Sequence, residues 1–219
     1  MAEDKSLRHS LVEYARRLSS EGLNVNSSGN LSVRSSCTDQ VDFLITPSAL
    51  AYEKMVPEDI VRMTEENDTF RAEGTLKPSS EWQLHSSIYK ARAEVQAVVH
   101  THSPFATALS CLEEAIPSFH YMIAQTGGSE ILCAPYETFG SRELAERCVK
   151  TLGKQRKACL MSHHGVLSLG ASLEEAFSIA REVENLAMMW LNLKKLGGCQ
   201  MLDKQEMEKV KQKFLSYKQ

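Results

Sequence analysis

Val98-Val99-His100-Thr101-His102 closes an apolar run with two histidines flanking one threonine. The β-branched valines favour extended backbone. In a strand, side chains alternate between faces, so residues two apart point the same way, roughly 6–7 Å apart along the strand. His100 and His102 thus have a spacing that two ligands of one metal ion can use, whereas on a helix they would diverge. A second motif, Ser162-His163-His164-Gly165, follows the apolar run Ala158–Met161 and can supply a third imidazole. If both of its histidines lie in strand they face opposite ways, so one is a ligand, and spacing does not choose between them. Three histidines with a coordination position left open is the pattern of a catalytic Zn²⁺ site. Strand ends are also where α/β folds place their ligands.

Outward from the histidine strand, helices and strands interleave with short loops, which predicts one α/β domain over 1–219. Leu7, Leu11, Ala15 and Leu18 mark a first helix ending before Gly22. Leu31–Arg34, Phe43–Thr46 and Ile60–Met63 read as short strands, the second broken by Pro47. In Pro78-Ser79-Ser80-Glu81, Ser80 is placed to cap a helix with Glu81 in its first turn. A helix over about 104–112 follows the histidine strand, and 131–135 reads as another strand. Ser141 caps a helix carrying Leu144, Cys148 and Leu152, and Ser172-Leu173-Glu174-Glu175 matches a capping box opening the longest helix, which runs to Gly197-Gly198. A charged helix over Lys204–Tyr217 ends the chain.

The 219 residues suffice for a full core without staples. A formal net charge of −3 offers no basic field for nucleic acid. No apolar run is long enough to cross a membrane, and the first residues lack the layout of a signal peptide. Six cysteines are scattered without a CxxC pair, which predicts reduced thiols and a cytoplasmic protein.

Glu81 is the candidate acid/base, although a carboxylate at a helix start is also routine. Ser79 and Ser80 beside it, and the loops Ser27-Ser28-Gly29-Asn30 and Thr46-Pro47-Ser48-Ala49, offer hydroxyls and N–H groups that suit a phosphate. His9, His85 and His120 read as structural or supporting residues.

Together the motifs SGNLSVR (28–34), LITPSALAYEKM (44–55), KPSSEWQLH (77–85), AVVHTHS (97–103), IPSFHYMIAQTGG (116–128), CAPYETFGSREL (133–144) and SHHG (162–165) resemble the class II aldolase/adducin head family, on its bacterial aldolase branch. The resemblance implies a three-layer α/β/α domain with a central, largely antiparallel sheet flanked by helices. It implies Zn²⁺ held by His100, His102 and His164, with Glu81 as the catalytic glutamate and Tyr121 and Tyr217 as catalytic tyrosines. It places Asn30, Ser48, Ala49, Ser79 and Ser80 at a substrate phosphate. It further implies a homotetramer with active sites at subunit interfaces, Tyr121 and Tyr217 reaching in from the neighbour.

The implied reaction is zinc-dependent cleavage of a ketose 1-phosphate, such as L-fuculose 1-phosphate, into dihydroxyacetone phosphate and L-lactaldehyde. Breaking a carbon–carbon bond next to a ketone leaves an enediolate whose charge needs a Lewis acid, and no lysine Schiff base is suggested. His₃ sites also accept Co²⁺, Mn²⁺ and Fe²⁺. Two other readings stay open: a related metal-dependent sugar-phosphate epimerase, dehydratase or decarboxylase, and a non-catalytic adducin-like interaction module. The chain departs from the family at Ala49, where glycine is common, so a positive φ there would strain the backbone. It also carries extra residues over 35–42, read as a longer hairpin loop.

Overall fold

A computed structural model describes residues 2–35, 40–67 and 69–217. Its frame is an eight-stranded sheet of β1 (Asn30–Arg34), β2 (Asp42–Ile45), β3 (Val61–Glu66), β4 (Thr69–Glu73), β5 (Ala97–Thr101), β6 (Cys133–Ala134), β7 (Ala158–Met161) and β8 (Gly165–Gly170). The order is β4-β3-β2-β1-β5-β8-β7-β6, and all neighbours are antiparallel except the short edge pair β6–β7. The expected largely antiparallel sheet is therefore present. Half of the extra loop (36–39 of 35–42) lies outside the described residues.

Alternation along β5 decides which layer each side chain joins. Val98 packs with Leu84, Ile88 and Tyr89 of α2 (Trp82–Ala91) and with Leu144 and Cys148 of α4 (Arg142–Leu152). Ala97 and Val99 pack on the other face with Leu11 and Ala15 of α1 (Ala2–Ser20) and with Ala176 and Phe177 of α5 (Leu173–Lys195). The outer part of that second face is filled by α3 (Pro104–Ser110), the rest of α5 and α6 (Lys204–Tyr217), with Leu109, Val183, Trp190 and Met207 inward. The result is helix, sheet and helix in three layers. Because side chains repeat every two residues, His100 shares the face of Val98 and looks toward the start of α2.

Local chemistry sets most helix ends where the sequence placed them. Ser141 Oγ accepts from Leu144 N–H at 3.1 Å, and Ser172 Oγ from Glu175 N–H at 3.1 Å. The second arm of the Ser172 box differs: Glu175 accepts from Ala171 N–H and pairs with Lys157 across the sheet edge. At α2 the expectation is corrected. Glu81, not Ser80, is the N-cap, with φ −101° and ψ 15°, and its side chain does not cap because it is turned into the core. The turn is closed instead by backbone bonds from Trp82 N–H to Ser79 O and from Leu84 N–H to Glu81 O.

Two strands, β4 and β8, carry no clear signal in the sequence. β4 is an exposed edge with little apolar alternation. β8 begins and ends in glycine, which reads as a loop, yet Gly165 is required by packing: a Cβ there would run into the Thr101 carbonyl oxygen of β5.

Ala49 has φ +59°, the left-handed conformation that strains any residue with a Cβ. The loop tolerates it because both of its sides are tied down. Pro47 bridges Pro78, Ser48 N–H donates to Lys77 O at 3.0 Å, and Ser79 N–H donates to Thr46 O at 3.1 Å. Replacing Ala49 by Gly should therefore stabilise the protein by about 1 kcal/mol in equilibrium denaturation. A loss of stability would show that the strain is already relieved by its surroundings.

Candidate metal centre and active site

His100, at the end of β5, and His102, just beyond it, project from the face toward α2. His164 comes from the turn between β7 and β8. His163 and His164 are not in strand: both lie in the turn 162–164 between β7 and β8, and His163 adopts φ +52° and is half-exposed. The tight turn, closed by His164 N–H to Met161 O at 3.0 Å, directs His164 inward. The open choice between the two histidines is thus decided by backbone conformation. Ser162 Oγ donates to Glu113 at 2.7 Å and His163 N–H donates to Ser110 O, so the end of α3 anchors this turn.

The three imidazoles meet edge to face, with ring centroids 4.8, 4.9 and 5.0 Å apart and interplanar angles of 71–79°. Their ligand atoms lie within 4.8 Å of one another. The tautomer of His100 follows from its neighbours. Its Nδ1 is 2.9 Å from the Val166 carbonyl, an obligate acceptor, so Nδ1 carries a hydrogen and, once the ring is neutral, Nε2 presents the lone pair. That Nε2 is 2.9 Å from Nε2 of His102 and 3.1 Å from Oε2 of Glu81. Oε1 of Glu81 is 3.3 Å from Nε2 of His164, yet is buried without a hydrogen-bond donor.

Nitrogen and oxygen acceptors therefore converge on one point, which only protons or a cation can reconcile. A His₃ set beside one carboxylate suits a divalent transition metal, with neutral imidazoles as ligands.

Charge is distributed accordingly. Burial pushes His102 down to about 3 and His164 to about 4, with repulsion from His100 adding to both. Burial also opposes charging His100, but Glu81 outweighs it and lifts that group above its ordinary value. Burial disfavours an ionised Glu81 as well, yet His100, His164 and the Asn30 amide together hold its carboxyl well below the usual carboxylate range.

Supporting residues lock the strands around this point. Asn24 Oδ1 accepts from the His102 backbone N–H at 2.6 Å, its amide donates to Tyr52 Oη at 3.1 Å, and Tyr52 donates to Gly29 O at 2.6 Å. A Cβ at Gly29 would strike the Asn24 amide and the His100 carbonyl, so the loop before β1 can close on β5 only as glycine. Asn30 pairs with His100 across β1 and β5, and its side chain is engaged with Glu81 and His85. His85, read from sequence as a supporting residue, lies fully buried behind it, and burial with the charge of His100 lowers it to about 3. Asn24 and Tyr52 had no sequence signal, since each acts only through segments far away in the chain.

Four of the five residues assigned to a phosphate, Ser48, Ala49, Ser79 and Ser80, fall on two joined loops, whereas Asn30 opens β1 and its side chain is engaged with Glu81 and His85 instead. Ser48, Ala49 and Ser80 are exposed and Ser79 is buried, its Oγ accepting from Glu81 N–H at 3.3 Å. Tyr121 stands elsewhere in this subunit, on the 3₁₀ turn Tyr121–Thr126. It is half-exposed, with the rings of His120 and Phe214 of α6 as neighbours rather than the histidine cluster. Tyr217 ends α6, and its side chain lies outside the described residues. His9 is exposed on α1 and bonds to Lys5 O, and His120 Nδ1 accepts from Met122 N–H. The described cysteines are all free, and no helix among the described residues is long and apolar enough to cross a membrane.

A three-layer α/β/α fold with a buried His₃–carboxylate cluster at its strand ends defines a metal-site enzyme class. The family model for the class II aldolase and adducin N-terminal domain matches residues 9–191, and the chain belongs to that family. It is 42% identical over 212 residues to the 5-methylthioribulose-1-phosphate/5-deoxyribulose-1-phosphate aldolase of Rhodospirillum rubrum, covering 97% of this chain and 92% of that one. It is 40% identical over 216 residues to the L-fuculose phosphate aldolase of Escherichia coli K12, covering 98% and 97%. The structure superposes on an L-fuculose 1-phosphate aldolase with a TM-score of 0.88 and 36% identity, covering 95% and 96% of the two chains. The protein is a class II aldolase, a lyase.

At about pH 6, His102 and His164 are neutral and Glu81 is ionised, while His100 holds a proton. Binding a divalent ion should then release about one proton, and affinity should fall as pH drops below the raised value of His100. Calorimetry in buffers of different ionisation enthalpy would count the protons; release of two or three would contradict this charge distribution.

Proposed function

We propose that this chain is a cytoplasmic, Zn²⁺-dependent ketose 1-phosphate aldolase that works as one domain over 1–219, and that L-fuculose 1-phosphate is its substrate. The observation that carries this reading is the buried convergence of His100, His102 and His164 on the Glu81 carboxylate. Zn²⁺ held by the three imidazoles would supply the Lewis acidity that stabilises charge left on the ketone fragment when the carbon–carbon bond breaks.

The chain's own groups do the rest. Glu81, kept ionised in a buried site, accepts and returns the proton at the reacting carbon. Hydroxyls and N–H groups of the paired loops at 48–49 and 79–80 receive the phosphate and fix the substrate's register. Tyr121 lies away from its own subunit's histidine cluster and is half-exposed on the surface, which suits service to a neighbouring subunit's site in a homotetramer. There its phenol handles the proton on the cleaved hydroxyl, and Tyr217 contacts the aldehyde.

The similar identities to a fuculose phosphate aldolase and to a methylthioribulose/deoxyribulose phosphate aldolase favour a second reading of the same site. All three sugars share the ketose 1-phosphate end and would release dihydroxyacetone phosphate; they differ in the aldehyde. The sugar is therefore decided by the pocket around the tail, not by the metal or Glu81.

Zn²⁺-loaded protein should release dihydroxyacetone phosphate from L-fuculose 1-phosphate in an NADH-coupled assay, and EDTA should abolish it. Faster turnover of 5-deoxyribulose 1-phosphate would establish the second reading, and no release from either sugar would refute the aldolase assignment at this site. Glu81→Gln should keep stoichiometric metal and lose about 10²–10⁴-fold in kcat. His102→Ala should lose both metal and activity, so Zn²⁺ retained at full occupancy would remove it from the ligand set.

A further inference from the structure

Behind Glu81 runs a chain of hydrogen bonds whose direction is fixed at every link. A carboxylate only accepts, so the Asn30 atom 2.9 Å from Glu81 Oε2 is the amide nitrogen Nδ2. Asn30 Oδ1 then lies 2.5 Å from His85 Nε2, which must carry a hydrogen. His85 Nδ1 is left with its lone pair and accepts from Ser32 Oγ at 2.6 Å. The Ser32 oxygen in turn accepts from the Tyr89 hydroxyl at 2.8 Å. Asn30, Ser32, Glu81, His85 and Tyr89 are all buried, so water does not compete along this path.

We propose that His85 is a positioning residue for Glu81: by holding the Asn30 amide in one orientation it fastens Oε2 and leaves Oε1 as the oxygen that carries the proton in turnover. This rests on the reading of Glu81 as the proton carrier. An asparagine side chain is nearly symmetric in shape, and rotating it by half a turn would set Oδ1 against Oε2, acceptor against acceptor. With His85 in place the same rotation would also set Nδ2 against Nε2–H, donor against donor. Two hydrogen bonds would give way to two repulsions, so the amide has one usable orientation. Oε2 spends a lone pair on Asn30. Oε1, buried and without a hydrogen-bond donor, keeps its own free for a proton from the substrate. The ring nitrogens of His85 bond to Ser32 and Asn30 and to no metal-ligand side chain; it acts through Asn30.

The test compares His85→Leu, which removes the donor, with His85→Gln, whose side-chain amide can stand where Nε2–H was. His85→Leu should lower kcat by about 10- to 100-fold, with KM and bound Zn²⁺ changed less than about twofold. It should slow the exchange of carbon-bound hydrogen of dihydroxyacetone phosphate with D₂O by a similar factor, because that half-reaction needs the proton carrier but no bond cleavage. His85→Gln should recover most of both rates. Nitrogen-15 spectra of the unmodified protein should show His85 neutral, with hydrogen on Nε2 and none on Nδ1.

The opposite tautomer in an active enzyme overturns the proposal by itself. So does an equal loss in the Leu and Gln variants, or a loss confined to KM or to metal content. If His85→Leu does not fold, a Gln variant as slow as Glu81→Gln overturns it, and a Gln variant near full rate with the expected tautomer supports it. Unmodified protein that neither cleaves nor exchanges refutes the role of Glu81 and the proposal with it, so the two failures are told apart.

Discussion

An ionised carboxylate buried beside three imidazoles is stable only if positive charge is shared among them, and that demand shapes the centre of this fold. Glu81 and His100 are almost entirely excluded from solvent, so neither can rely on water for its charge. The surrounding structure supplies what water would. The Val166 carbonyl fixes one nitrogen of His100, Asn30 donates to Glu81, and Asn24 fastens the backbone at His102. Removing any one partner would leave a buried polar group unmet, so the cluster and its supports stand or fall together.

Three of the five described non-glycine residues at positive φ, Ala49, Glu113 and His163, belong to segments that build the site; the other two, Asn26 and Asn67, are asparagines, which enter that conformation more readily. His163 lets the β7–β8 turn aim His164 inward, and Glu113 anchors that turn through Ser162. Ala49 shapes one of the two loops offered to a phosphate. Each such residue costs of order 1–3 kcal/mol and persists only where neighbouring bonds over-determine it, as the paired 46–49 and 77–81 loops do here.

Much of this was legible in the chain. The period-two pair His100 and His102, the caps at Ser141 and Ser172 and the last two helices need only local rules, because strand alternation, capping and amphipathic spacing act over a few residues. Glu81 was recognisable as a helix-start residue, but its orientation was not: an exposed carboxylate there would favour its own helix end, whereas this one turns inward to meet Asn30 and His100. β8 was hidden because glycine reads as a loop until another strand's backbone is known to lie against it. Tyr121 carried weight by resemblance, and in one subunit its ring lies against α6 rather than the histidine cluster.

The sequence by itself determined the types of the helices and of the strands other than β4 and β8, the two faces of β5 and the stock of ligands, since these depend on side-chain period and backbone preference between near neighbours. Only the tertiary structure decided that His164 and not His163 completes the set, that Asn30 turns to Glu81, and which nitrogen of His85 and of His100 carries hydrogen. Those choices depend on partners 51, 55 and 66 residues apart in the chain, for Asn30 with Glu81, Asn30 with His85 and His100 with Val166. A donor's direction is set by the acceptor it meets, and only folding brings the two within reach.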